Sequence, residues 1–367
     1  MSTETESPPS GRDRLAMISI GIGILTVIAA GFACYALRKI ITPLLLSVFL
    51  LLVIGGLERA LTQWTPLPRR AALPAAIVAV VALFGFSIWL IAENAAGIVE
   101  QSSVYAARLD EIIHMVSDRF GLQTAPTIDQ LLHKLNPGRF ASVVAREATH
   151  ILDGAVFVLI YLAFMLASRE GFRGKVERLF PKHGHVEAIE VAGRIQHGVQ
   201  SYVWVQTVVG LIIAGASVLV MWPMGIPHLM FWAFLIFMAN YIPAIGAAIG
   251  VVLPPVFALV DLNDVWRPIL LFVLLEVIHF AVSHVVQPRM QGRSLNIDPI
   301  VVLISLAFWG AIFGIAGAFL STPLTVVVMV VCNEFRATRW VPVLLSADGK
   351  PYANESKDVH AVEAPVG

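Results

Sequence analysis

The chain has 367 residues, 57% hydrophobic and only 14% charged, with 25 basic side chains against 25 acidic ones. Soluble domains carry roughly 25% charged residues, and a balance of zero leaves no electrostatic footprint for nucleic acid. An ordinary soluble domain and a nucleic-acid binder are therefore excluded. What remains is an all-α polytopic membrane protein whose first partner is the lipid bilayer.

In chain order, residues 1–15 (MSTETESPPSGRDRL) read as a disordered cytoplasmic tail. Ala16–Leu37 is too long for the apolar core of a cleaved signal peptide and lacks a convincing small-residue cleavage site, so it reads as the first membrane segment. Ile40–Leu57 and Ala72–Ala92 follow, completing segments 1–3 within 16–93. Residues 94–150 read as an amphipathic extramembrane arm: Tyr105, Leu109, Ile112, Val116 and Phe120 share one helical face, and Thr127 with Gln130 forms a capping box. Such an arm either lies on the protein or membrane surface or meets a second copy. Segment 4 is 151–168, and residues 169–201, with Phe172, Val176 and Phe180 before Pro181, read as a pair of short cytoplasmic amphipathic helices. A membrane transport core spans 202–335, built from Val203–Met221, 229–260, Ile269–Val286 and Ile300–Cys332, and 336–367 is a second cytoplasmic tail. The total is about eight membrane segments, some broken or re-entrant.

The positive-inside rule sets orientation. With eight crossings, Arg12 and Arg14, then Arg59, Arg69 and Arg70, then the cluster from Arg169 to Arg194, and finally Arg336 and Arg339 all face the cytoplasm. Arg38 and Lys39 face outward, and a hairpin entering and leaving by one face would change the parity of the second half.

Residues 229–260 and 300–332 contain no charged side chain. As an unbroken helix the first run would be about 48 Å long, against a hydrocarbon slab of roughly 30 Å. Pro243, Pro254 and Pro255 interrupt it, and WGAIFGIAG followed by Pro323 interrupts the second. Non-helical backbone at membrane depth survives only where protein or a water-filled cavity satisfies it, and discontinuous helices are where secondary transporters place their sites. Gly246 with Gly250, and Gly310 with Gly314, also have the spacing of close helix packing.

Between these runs lies LLEVIHFAVSHVVQP (274–288). On an ideal helix with Glu276 at zero, Gln287, Ser283, His279 and His284 fall at roughly +20°, −20°, −60° and +80°, one polar arc on an apolar rod. An ionisable residue inside a membrane is a functional hypothesis by default, and Glu276 and His279 stand one turn apart. This predicts a proton- or cation-responsive pathway site; the alternative is a structural pairing of Glu276 with His279, Arg289 or Arg293.

No nucleotide-binding GxxxxGK[ST], HExxH or GxSxG motif occurs, so the chain reads as no enzyme. Glu147 with His150 and Glu276 with His279 have the i, i+3 spacing of di-iron bundles but lack two further inward glutamates. His183 and His185 read as a solvated loop, and Cys34 and Cys332 as small apolar residues. No metal and no cofactor is expected.

Residues 284–323, HVVQPRMQGRSLNIDPIVVLISLAFWGAIFGIAGAFLSTP, resemble the autoinducer-2 exporter family of permeases. The resemblance rests on Gln287 and Pro288, on Gly292 before Ser294 and Leu295, and on Pro299 ahead of an apolar run. Trp309 and Gly310, the pair Gly314 and Gly317, and the closing Pro323 complete it. Asn240 and Tyr241 before Pro243 and Gly246, and Tyr202 and Gln206 in SYVWVQ, extend the likeness, which covers roughly 16–335. It implies a multi-pass protein of the bacterial cytoplasmic membrane that forms homo-oligomers and moves either a small solute such as autoinducer-2 or a monovalent cation against protons; a passive oligomeric channel is the other option. The candidate coupling residues are Glu276, His279, Ser283, His284, Gln287 and Arg289; the candidate break and pathway residues are Asn240, Tyr241, Pro243, Gly246, Pro254, Gly292, Pro299, Trp309, Gly310, Gly314, Gly317 and Pro323.

Overall fold

Within a bilayer each backbone N–H and C=O must find a partner in its own segment, so apolar runs of this length can only be helical. The computed structural model describes residues 11–66, 68–100, 154–168, 171, 184–262, 264–291 and 296–350, and every regular element among them is a helix. In order these are α1 (Gly11–Ala36), α2 (Arg38–Trp64), α3 (Arg69–Glu100), α4 (Gly154–Ser168), α5 (Gly184–Met221), α6 (Leu229–Ala239) and α7 (Ile245–Asp261). Next comes α8 (Trp266–Ala281), which passes through a π-helical turn (Val282–Val286) into α9 (Gln287–Gln291). The chain closes with α10 (Pro299–Glu334) and α11 (Trp340–Leu345). Five stretches are long and apolar enough to cross a membrane: α2, Arg70–Ser87 of α3, Ile189–Met221 of α5, Trp266–Met290 and α10. This is an all-α polytopic membrane protein.

Two boundaries differ from the sequence reading. Helix α5 runs unbroken from Gly184 to Met221, so residues 184–201 extend a membrane helix instead of forming a separate short one. No glycine or proline punctuates 195–205 in a helix-breaking position, and Gly198 is instead a packing residue whose added β-carbon would stand 2.8 Å from Val326. Helix α3 continues past Ala92 to Glu100; the arm beyond it, with its capping box, falls outside the described residues.

Both long apolar runs reverse direction. Helices α6 and α7 are separated by the turn 240–244, and a β-carbon on Gly246 would overlap the Ala239 carbonyl oxygen and lie 2.8 Å from the Asn240 Cα. Only glycine permits this approach. Helix α10 bends at Gly314, whose φ of 66° and ψ of −144° are not helical. A straight rod of its 36 residues would be about 54 Å long. Yet the Asp298 N–H donates to the Leu345 carbonyl at 3.0 Å, and the chain from Glu334 to Leu345 reaches at most about 40 Å even when extended. The two arms of α10, 299–313 and 315–334, must therefore fold back on each other. Gly317 confirms it: its β-carbon would overlap the carbonyl oxygen of Trp309.

The two hairpins enter from opposite sides. The base of the α6–α7 hairpin joins the Met221 end of α5 and the Trp266 end of α8 through short connections. The base of the α10 hairpin lies at the other end, where Arg194 of α5 pairs with Glu334 at 3.0 Å. On that same side Arg59 of α2 donates to the Gln200 side chain, and Gln200 donates to the Leu52 carbonyl at 2.7 Å. After α11 the chain returns to the start of α10, where the Asn296 amide meets Asp348 and the Lys350 carbonyl. That amide, with the Lys350 N–H, holds the exposed Asp348 carboxyl below its usual range.

Three apolar clusters hold the helices together. The largest joins α5, α6, α7 and α8 through Val209, Ile213, Met221, Trp232, Ile236, Leu271 and Leu275. A second joins α2, α5 and α10 through Phe49, Val199 and Leu320, with Phe49 edge-on to Phe319. The third joins α2, α3 and α4 through Ile54, Ala76 and Leu162, beside which the buried Ser47 hydroxyl lies 2.9 Å from the Val158 carbonyl.

Candidate functional site

The turn 240–244 interrupts the helical ladder, so its carbonyls need donors from elsewhere. Helix α5 supplies them. Gln206 Nε2 donates to the Asn240 carbonyl at 2.9 Å, and Asn240 Nδ2 donates back to the Gln206 carbonyl at 3.3 Å. The Tyr202 hydroxyl donates to the Tyr241 carbonyl at 2.9 Å. Tyr241 in turn shares a 2.7 Å hydrogen bond between its hydroxyl and that of Thr207, and its ring packs 5.4 Å from Phe319 of α10. Tyr202, Gln206 and Tyr241 are all buried, and removing the Tyr202 or Gln206 donor strands a carbonyl in an apolar setting. Ala244 closes the turn at φ 62° and ψ −44°, a strained conformation for a residue with a β-carbon.

Facing this turn is the polar part of α8. On a straight α-helix Gln287 would drift about 80° around the axis from His279. The π turn widens one coil and draws it back, leaving His279, Ser283 and Gln287 stacked four residues apart on one wall. His279 Nδ1 and the Ser283 hydroxyl lie 3.1 Å apart, and Gln287 Nε2 donates to Gln206 Oε1 at 3.3 Å. A chain of side-chain amides thus crosses from α9 through Gln206 to the broken backbone.

Between them is a cavity of about 400 Å³. Its wall is made by Tyr202 and Gln206 of α5, by Asn240, Ile242 to Ala244, Gly246 and Ala247 around the turn, and by His279, Ser283 and Gln287. Ile297, Pro299, Val302 and Leu303 at the start of α10, and Thr322 on its returning arm, close it. The lining carries no Asp, Glu, Lys or Arg among the described residues. Its chemistry is neutral hydrogen bonding on one side and aliphatic contact on the other.

Of the candidate coupling residues, the structure brings His279, Ser283 and Gln287 to this cavity. Glu276 is not among its lining residues: it sits on the outer face of α8, exposed among Val273, Val277 and Phe280. The helix buries the seam through Pro268, Leu271, Leu275 and Val282, and Glu276 lies about 100° around the axis from Leu275. The ideal-helix arc took Glu276 as its centre and had no partner helix to choose the buried seam. His284 also faces outward, stacked 4.2 Å from the Phe280 ring with its Nδ1 donating to the Phe280 carbonyl at 3.0 Å. Arg289 is exposed at the end of the same face.

Of the break residues, Asn240, Pro243, Gly246 and Pro299 line the cavity, and Tyr241 braces it. Pro254 and Pro323 are buried packing residues within α7 and α10. Trp309, Gly310, Gly314 and Gly317 build the α10 reversal, and Gly292 falls outside the described residues. Sequence reasoning missed Thr322, Ala244 and Ala247. Thr322 was legible only as a polar residue directly before Pro323 in an apolar run; the alanines offered no signal.

A polar cavity at the meeting of two reversed helices is the architecture of a membrane carrier, and comparison with known proteins agrees. Residues 22–337 match the family described as AI-2E family transporter. The chain belongs to the AI-2E transporter family. Within that family it is 24% identical over 336 residues to the AI-2 transport protein TqsA of Escherichia coli K12, covering 90% of this chain and 95% of that one. It is 25% identical over 314 residues to a protein of Haemophilus influenzae, covering 83% and 89%. It is also 34% identical over 165 residues to YhhT of Escherichia coli K12, covering 44% and 47%. As an AI-2E family chain, the protein is a multi-pass membrane transporter of small solutes.

Proposed function

We propose that the cavity between the 240–244 turn and the His279–Ser283–Gln287 wall is the solute site of a secondary transporter in the bacterial cytoplasmic membrane. The observation that carries this reading is the satisfied break: buried donors from α5 are committed to carbonyls at membrane depth, beside a cavity of solute size. Without a pathway, a continuous apolar helix would serve the same packing at no polar cost. The solute is a small metabolite of the size of autoinducer-2, whose transport is the named role of the TqsA relative.

Counting α1, α2, α3, α4, α5 and α8 as crossings and the two hairpins as re-entrant, both tails lie in the cytoplasm together with Arg59, Arg194, Arg289 and Arg336. Two opposed hairpins restore the parity that one would have broken. The exposed apolar faces of α1, α3 and α8 suit lipid and a second copy of the chain, as expected of a homo-oligomer.

Coupling to protons is the second reading, and it rests on His279. This is the titratable imidazole on the wall, hydrogen-bonded to Ser283, and histidine titrates near physiological pH. A bare cation site is disfavoured by a lining without a carboxylate among the described residues. Flux of radiolabelled small solutes and of sodium in proteoliposomes, with and without an imposed pH gradient, tests both. Saturable solute flux that His279→Gln uncouples from the gradient supports carrier and coupling together. Sodium flux without solute flux replaces the carrier with a cation exchanger.

A further inference from the structure

We infer that Pro288 is a positioning residue of the solute site: its missing N–H and its ring hold the π turn that sets Gln287 on the cavity wall. This rests on the reading of the cavity as the solute site and names the residue on which one wall depends.

Gln287 reaches the cavity through an irregularity in the helix. On an unbroken α-helix with His279 at zero, Ser283 stands at about +40°, Val286 at about −20° and Gln287 at about +80°. Position 286 would then face the cavity and 287 would turn away. In the structure Gln287 lines the cavity with His279 and Ser283, and Val286 does not; it packs against the core of α5, α6, α7 and α8 instead. The register changes within the π turn, where the Gln287 N–H donates to the Val282 carbonyl, five residues back. The wider coil takes up one extra residue. Gln287 thereby occupies the place that an α-helix gives to Val286.

What holds the wide coil is the next residue. In a helix interior the N–H of residue 288 would serve the His284 carbonyl, but proline has no N–H and its ring strikes the carbonyl four residues back. The π turn removes both conflicts. It ends the ladder of α8, so that α9 begins at Gln287 and Pro288 falls in a first turn, where an N–H has no helical partner to miss. The Pro288 ring is itself exposed, so its effect comes through the backbone rather than through packing. From there the effect passes to the site. Gln287 Nε2 donates to Gln206 Oε1 at 3.3 Å, and Gln206 Nε2 holds the Asn240 carbonyl of the 240–244 turn. With an N–H restored at 288 the coil should narrow, turning Gln287 about 100° away and bringing Val286 to the wall.

The test reads which residue faces the cavity. In protein with Cys34 and Cys332 replaced by alanine, in lipid vesicles, Ser283→Cys, Val286→Cys and Gln287→Cys are each exposed to a charged, membrane-impermeant thiosulfonate. With Pro288 in place, 283 and 287 should react and 286 should not. With Pro288→Ala, or with Pro288→Leu, which shares only the restored N–H, the rates at 286 and 287 should exchange and that at 283 should stay. Damage to the fold would alter all three. The half-saturating concentration for autoinducer-2 flux in proteoliposomes should rise about fivefold in Pro288→Ala, the worth of one neutral hydrogen bond. It should return when Val286→Gln and Gln287→Val move the amide to the position an α-helix presents. Rates at 286 and 287 that ignore the substitution at 288, or a flux defect that the moved glutamine does not repair, overturn the positioning role while the cavity stands as a solute site. If 283 and 287 are both silent with Pro288 in place, the solute site falls and the role with it. Exchange of the two thiols in a protein that moves no autoinducer-2 upholds the role and removes only that solute.

Discussion

The two hairpins solve one problem in different ways. At 240–244 the reversal takes five residues, and three side chains from α5 satisfy or brace the opened backbone. At Gly314 it takes one glycine at positive φ, with Ile315 beside it 83% exposed and no side-chain donor aimed at the bend among the described residues. The first break is polar, supported and adjacent to a cavity; the second is a bare fold whose arms press together through Gly310 and Gly317. A membrane chain can therefore reverse cheaply with one glycine. The additional buried polar machinery at 240–244 is explained by what it surrounds.

The difference can be broken by substitution. The largest effect should come from Gly317→Ala, because the new β-carbon meets backbone rather than a flexible side chain. A loss of about 3 kcal/mol is expected, read as thermal unfolding in detergent, while Gly310→Ala, whose nearest neighbour is Ala318 Cβ at 3.8 Å, should be close to neutral. If both alanines behave alike, the α10 arms do not fold back as described.

Next is Gln206→Leu, which strands the Asn240 carbonyl and the Gln287 amide. It should cost about 2 kcal/mol and abolish binding at the cavity; Tyr202→Phe, losing one bond to Tyr241, should cost about 1 kcal/mol. A silent Gln206→Leu would make the first hairpin no more dependent on polar support than the second. Gly314→Ala should cost about 1–2 kcal/mol through backbone strain alone, since the space around its Cβ position is open. That variant should leave cavity binding intact, which sharpens the separation of roles.

The smallest effect should be that of Glu276→Gln. Because Glu276 is exposed on the outer face of α8, stability should shift by less than about 0.5 kcal/mol and solute affinity at the cavity should not change. A tenfold change in affinity would return Glu276 to the pathway.

Much of this was readable from sequence, and the reasons are physical. Length against bilayer thickness demanded that 229–260 and 300–332 break, and proline and glycine marked where. His279, Ser283 and Gln287 stood out, together with Glu276 and His284, because polar and ionisable residues are costly in an apolar helix. What could not be read was rotation. Which stripe of α8 is buried depends on Val209, Ile213 and Ile236 of its neighbours, and Pro288 marks a break in the helix without specifying the π turn that realigns Gln287. Glu276 was misplaced for that reason. Thr322 and Ala247 acquire meaning only from the fold-back that brings α10 and α7 to one cavity.

The central claim is most directly tested by chemical access. In protein with Cys34 and Cys332 replaced by alanine, Ser283→Cys and Glu276→Cys would be exposed in intact lipid vesicles to a charged, membrane-impermeant thiosulfonate. A water-filled solute site predicts rapid modification at 283, slowed by a transported solute, with position 276 modified only by a lipid-soluble maleimide. The reverse pattern, with 276 reached from water and 283 sealed, would contradict it.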